Sequence, residues 1–125
     1  MAFSISAEKS REFAVRIARL CKHLRVMRGE DTLSNQLLRS GTSIGANIHE
    51  AIEATSDKEF VYRMGVALKE ASETDYWLYV LHEAGYLTQK EFESIYPNCI
   101  ELKKMLAKTI NTKKANMAKK LTVES

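Results

Sequence analysis

Proline occurs once in the 125 residues, as Pro97, and glycine only five times. So little turn chemistry excludes a sandwich or barrel built from many short strands. The two cysteines, Cys21 and Cys99, lie on apolar faces of different expected helices. They exclude a disulfide framework and read as reduced core residues. Three histidines are present, and none stands three residues after a glutamate, as a carboxylate-bridged di-metal bundle requires. His49-Glu50 and His82-Glu83 are adjacent pairs that point in different directions around a helix, so they chelate poorly. No zinc pattern, phosphate loop or nucleophile elbow occurs, so no catalytic residue, metal or cofactor is expected, and no enzymatic activity. No eighteen-residue apolar run exists, and Met1 to Ser6 lacks a basic segment ahead of an apolar core. Neither a membrane span nor a signal peptide is expected, which implies a cytoplasmic protein.

What is present favours helices: the chain is rich in Ala, Leu, Lys, Glu and Arg. A length of 125 residues suits one domain with a real core. The net charge is +3, but it is segregated: residues 1–28 carry seven Lys or Arg against two Glu, and residues 103–125 carry seven Lys against Glu124. Between them, residues 29–102 hold thirteen acidic side chains against five basic ones.

Apolar periodicity gives four helices. Phe13, Ile17, Leu20, Leu24 and Met27 step by three and four, so the first helix is expected from about Ser6 to Met27, closed by Gly29. A second helix fits from Asp31 or Thr32 to Ala54, with Leu33, Leu37, Ile44, Ile48 and Ile52 on its stripe. Ser56-Asp-Lys-Glu59 and Thr88-Gln-Lys-Glu91 have capping-box spacing and open the third and fourth helices, with Gly85 ending the third. Phe60, Met64, Ala67, Leu68, Ala71 and Leu78 form the main face of the third helix; Phe92, Ile95, Cys99, Leu102, Leu106 and Ile110 form that of the fourth. Pro97 falls inside the fourth pattern and predicts a kink or break near Tyr96. Short connections between amphipathic helices give an all-α, antiparallel up-down-up-down four-helix bundle over residues 1–110. Residues 111–125 have little to bury and are expected to be a flexible basic tail.

Glycine costs a helix interior about 1 kcal/mol relative to alanine, so Gly41 and Gly45, with Ala46 beside them, predict a close helix approach. The third helix carries a second apolar strip, Tyr62, Val66, Trp77 and Val80, which predicts a subunit interface; the plainer reading is that these residues cap the edge of the core. Asp75 lies at the rim of the main face and needs an Arg or hydroxyl partner from a neighbouring helix. Arg11, Arg16, Arg19, Lys22 and Arg25 predict a phosphate-binding face for RNA or DNA, assisted by Lys113, Lys114, Lys119 and Lys120. The same segregated charge also suits self-assembly or a protein–protein scaffold, with a basic face on one subunit meeting the acidic middle of the next.

The stretch from Arg39 to Ala51, RSGTSIGANIHEA, followed by Ser56 to Phe60 and by Glu73-Thr-Asp-Tyr-Trp-Leu78, resembles the proteins encoded in intervening sequences of bacterial 23S rRNA genes. These are also labelled S23 ribosomal proteins and are similar to the accessory proteins of diversity-generating retroelements. The resemblance covers residues 8–110. It implies a four-helix bundle assembled as a homopentamer, with relatives that use a positive surface alongside RNA and a reverse transcriptase, so that a nucleic-acid enzyme joins RNA, DNA and the chain itself as an implied partner. Asn47, Glu50 and Glu73 match the pattern, without an assigned chemical role. Where a glycine often follows that motif in the family, this chain turns through Ala54-Thr55-Ser56.

Overall fold

The helix ends inside the chain fall where specific groups satisfy the backbone. The computed structural model describes residues 2–124, with side chains from residue 4 to residue 123. Met1 and Ser125, the outer ends of the two expected segments, lie outside the described residues. The first helix, α1 (Ala2–Arg28), begins earlier than its apolar pattern indicated. It ends at Gly29, whose φ of 65° suits a residue without Cβ. The second helix, α2 (Thr32–Ile52), is capped by Glu30, whose carboxylate accepts from the amides of Leu33 and Ser34, both at 2.8 Å. The Ser34 hydroxyl returns a bond to the Glu30 carbonyl at 2.9 Å, and Asp31, at the formal cap position, makes no capping bond.

The third helix, α3 (Asp57–Glu83), is opened by Ser56, whose hydroxyl accepts from the Glu59 amide at 3.1 Å. Glu59 reaches back to the Thr55 amide and not to that of Ser56, so the box is displaced by one residue on that side. At the other end the Tyr86 amide bonds the Leu81 carbonyl and the Gly85 amide that of His82, a Schellman closure. The fourth helix, α4 (Gln89–Glu124), has the full reciprocal box: Thr88 Oγ1 accepts from the Glu91 amide at 3.1 Å, and Glu91 accepts from the Thr88 amide at 2.8 Å.

The helices form an all-α four-helix bundle in which α1 packs on α2 and α4, and α3 on α2 and α4. Among the described residues no diagonal pair approaches closely, so sequence neighbours are spatial neighbours and α1 closes the bundle against α4. Cross-helix bonds fix the antiparallel register. Arg16 meets Ser94 and Lys9 meets Glu101 between α1 and α4, while Asp75 meets Lys103 and Asp57 meets Lys113 between α3 and α4. The core runs through Phe13, Ile17, Leu24, Leu37, Ile44, Ile48, Met64, Leu78, Leu102 and Leu106, all within 1% of full burial.

Several expectations are corrected. Met27 is 68% exposed and leaves the α1 stripe, whose inner face runs instead through Ser10, Phe13, Ile17, Cys21 and Leu24. Ile52 is 40% exposed and Ala51 takes the buried position at the end of α2. Helix α4 passes through Pro97 without a break; Pro97 and Glu93, the residue four positions earlier, are both exposed, so the carbonyl deprived of its donor is placed to meet water. The same helix continues to Glu124, well past the end expected near Asn111, although Leu121 and Val123 on it bury little.

The small residues of α2 are divided between two neighbours. A Cβ on Gly41 would stand 2.9 Å from Ile17 Cγ2, and one on Gly45 would stand 3.1 Å from Ser10 Oγ, so both glycines admit α1. Ser40 faces the other way and accepts from Thr74 Oγ1 of α3 at 3.0 Å inside the core. Ala46 is exposed and takes no part in either contact within the chain.

Candidate functional site

The basic face of α1 follows from helical phase. At about 100° per residue, Arg11, Arg19, Lys22 and Arg25 fall within an arc of about 120°, spread over about 21 Å of helix axis. All four are exposed, and none forms an ion pair among the described residues. Glu8 and Glu12 are exposed near the N-terminal end of that face. Arg16 differs from its neighbours: its guanidinium donates to the Ser94 carbonyl at 3.2 Å and hydroxyl at 2.8 Å, tying α1 to α4. Arg28, not singled out by charge counting, also faces α4, where it pairs with Glu91 at 2.7 Å. That pairing, with the Thr88 bonds, holds the Glu91 carboxyl down at about 2.

Of the lysines near the C-terminus, Lys113 is engaged. It binds Asp57 at 2.8 Å and places its ammonium 5.4 Å from the centre of the Phe60 ring, which pulls the Asp57 carboxyl below its usual range. Lys114, Lys119 and Lys120 are exposed and unpaired among the described residues. Between this part of α4 and the α2–α3 turn lies a groove of about 700 Å³, bordered by Ile52, Thr55, Phe60, Lys108, Thr112 and Asn116.

The strip on α3 is uneven. Tyr62 is 64% exposed, while Val66, Trp77 and Val80 are half-buried. Trp77 rests against the core, edge-on to Tyr76, with its ring nitrogen 3.4 Å from a Glu73 oxygen. Tyr76 and Tyr79, which the strip omitted, are 58% and 56% exposed. Tyr76 lies about 40° and Tyr79 about 100° from Tyr62 in helical phase, roughly 21 and 26 Å further along the axis. Gly65 lies one turn after Tyr62, and among the described residues nothing outside its own stretch of helix comes within 4 Å of where its Cβ would be.

The remaining polar groups are structural. Arg39 of α2 pairs with Glu70 and Glu73 of α3, Ser43 donates to the Arg39 carbonyl at 2.6 Å, and Asn47 donates to the Ser43 carbonyl at 2.9 Å. Glu50 is exposed. Asp75 obtains Lys103 at 2.9 Å and the Tyr96 hydroxyl, both from α4; donation to Asp75 and partial burial push Tyr96 up to about 12. Burial does the same to Cys21 and Cys99, whose thiols donate to the Ser34 and Ala71 carbonyls. His82 bonds Gln89 and stacks on Phe92, and His23 approaches Glu91 at 3.7 Å. Among the described residues no group of three or more His, Cys, Asp or Glu could hold a metal ion, and no helix is long and apolar enough to cross a membrane.

The arrangement defines a four-helix bundle whose polar network ties its helices together and whose charged faces are left outside. The chain belongs to the 23S rRNA-intervening sequence protein family, whose model matches residues 4–108. It is similar to a protein of unknown function from the S23 ribosomal protein family of Bacteroides thetaiotaomicron VPI-5482, with a TM-score of 0.87 and 46% identity, over 89% of this chain and 99% of that one. No curated protein matches it.

Proposed function

We propose that this protein is a non-enzymatic, homo-oligomeric bundle that binds RNA or DNA through phosphates along α1. The observation that carries the reading is that Arg11, Arg19, Lys22 and Arg25 are exposed and, among the described residues, without an ion pair. Much of the acidic middle is meanwhile spent within the fold: Glu30, Glu59 and Glu91 on helix starts, and Glu70, Glu73 and Asp75 on partners across helices. Arg16 contributes by holding α1 against α4, and Lys113 by closing α4 on α3. Lys114, Lys119 and Lys120 add charge at the far end. The working location is the cytoplasm, and a nucleic-acid enzyme is a further partner in keeping with the family resemblance.

Binding of labelled RNA and DNA across salt concentrations tests this. Four neutralised phosphates give a slope of log K against log salt of about −2.8 for single strands and about −3.6 for duplex DNA, per bound subunit. Arg19→Glu with Lys22→Glu is expected to abolish binding at moderate salt. Absence of binding at low salt, or binding that ignores salt, sinks the reading.

The assembly reading draws on a different observation. Tyr62 stands exposed one turn before Gly65, a helix-interior glycine that no neighbour among the described residues requires, and Tyr76 and Tyr79 are exposed about 16 and 21 Å further along the same helix. A second copy packed there would use both the rings and the missing Cβ, giving the homopentamer implied by the family resemblance. A scaffold that recruits proteins through such a ring is the alternative role. Light scattering decides between ring and monomer: a 14.2 kDa species at micromolar concentration removes the ring.

A further inference from the structure

Helix α4 outruns the rest of the bundle. Its 36 residues rise about 54 Å, against about 40 Å for α3, and the Asp57–Lys113 pair marks the level at which α3 begins. Beyond it, α4 projects about 16 Å further with no helix opposite. The groove lies in the corner between this projection and the α2–α3 turn, with Ala51, Ile52, Ala54 and Phe60 supplying its apolar wall. Lys108 lines the groove, and Lys119 and Lys120 follow on its side of α4. None of the three lysines has an ion pair among the described residues. The one acid among the wall residues, Asp57, is already held by Lys113.

We propose that this corner docks an acidic amphipathic helix of a partner protein. Its apolar stripe lies on Ile52, Ala54 and Phe60, and its carboxylates meet Lys108, Lys119 and Lys120. The span from Lys108 to Lys120 is about 18 Å, which fits three to four turns of helix, about 14 residues with its ends. Charge and apolar surface together select this occupant. A nucleic acid satisfies the lysines but leaves Ile52, Ala54 and Phe60 facing a polar strand. A second copy related by a two-fold axis brings the same lysines against these. This surface includes none of the α1 cations, so the inference is tested apart from nucleic-acid binding along α1, and Lys119 and Lys120 are the residues both readings use.

The test uses the full chain and a fluorescent 14-residue peptide with leucines at helical spacing and glutamates elsewhere, beside a scrambled peptide of the same composition. The amphipathic peptide is expected to bind at least about tenfold more tightly than the scrambled one. Ile52→Glu, at a 40% exposed position, is expected to weaken binding about tenfold or more, and so is Lys119→Glu with Lys120→Glu, which alters only exposed side chains. Arg19→Glu with Lys22→Glu on α1 leaves the peptide affinity unchanged. Equal binding of the scrambled peptide, or no binding, overturns the proposal. So does single-stranded RNA that displaces the peptide and itself loses affinity in Ile52→Glu, because the corner is then a nucleic-acid site. An oligomer that Ile52→Glu dissociates in light scattering also overturns it, because the occupant is then a second copy.

Discussion

Replacing Gly41 by alanine adds one methyl group and turns the closest helix contact into an overlap. The new Cβ would lie 2.9 and 3.0 Å from the γ carbons of Ile17 and 3.3 Å from its Cβ. Ile17 is fully buried and β-branched, so its χ1 is held to one rotamer in a helix, and its Cβ moves only with the backbone of α1. Overpacking of this kind costs about 1–3 kcal/mol. The gain in helix propensity returns about 1 kcal/mol. Because one of the three contacts is to an atom that cannot rotate away, the cost falls in the upper half of its range and the net loss is about 1–2 kcal/mol. For a domain of this size that lowers Tm by roughly 3–10 °C. Urea unfolding at fixed protein concentration measures it, since association would make the midpoint concentration-dependent. The decisive comparison is the same substitution in an Ile17→Ala background. Removing the γ branches takes away the two closest overlaps and leaves the Cβ contact at 3.3 Å, so Gly41→Ala is expected there to be about neutral or to stabilise by less than about 1 kcal/mol. An unchanged or higher stability for Gly41→Ala in the parent chain would refute the steric account, as would an equal loss in both backgrounds.

Other predictions rest on single contacts. Glu30→Ala is expected to cost about 1–2 kcal/mol in urea unfolding, because two α2 amides lose their acceptor, whereas Asp31→Ala costs a few tenths at most. Glu91, held down at about 2, stabilises the fold fully above the usual carboxylate range, and that stability is lost as pH falls from about 5 toward 2. Glu91→Gln is therefore less stable by about 1 kcal/mol at neutral pH, and its deficit shrinks across that acid range. Cys21 and Cys99, with thiols pushed up to about 12 and buried, are expected to resist alkylation in the folded protein at pH 8 and to react at once in denaturant. Rapid labelling of the native chain would contradict their packing.

Much of the bundle is legible in the chain because helix ends and stripes are local. Ser56, Thr88 and Gly85 mark boundaries through bonds to residues a few positions away, and those boundaries hold in the structure. Where the cap came from an atypical residue, local rules fell short: Glu30 accepts from the α2 amides, and Asp31 at the formal cap position makes no capping bond. Stripe edges were also ambiguous. Met27 and Ile52 have the right period, but they stand where no neighbouring helix covers them. Composition described the C-terminal lysines as a tail, because it weighs what a segment can bury and not the helix already running into it.

The candidate surfaces were legible only as residue types. Counting placed Arg16 and Lys113 with the free cations, but tertiary contacts assign them to Ser94 and Asp57, because side chains of other helices arrive at bonding distance. The groove could not be read at all, since it depends on α4 passing the level of the α2–α3 turn.

The sequence by itself determined four amphipathic helices, their order and their antiparallel neighbours, because periodicity, capping and short connections act over a few residues. Tertiary structure alone decided which small residue faces which helix. Gly41 and Gly45 admit α1 while Ser40 meets Thr74 of α3, and Ala46, next in the same stretch, is exposed. The physical reason is that a helix has one period but several neighbours, and only packing assigns its faces among them.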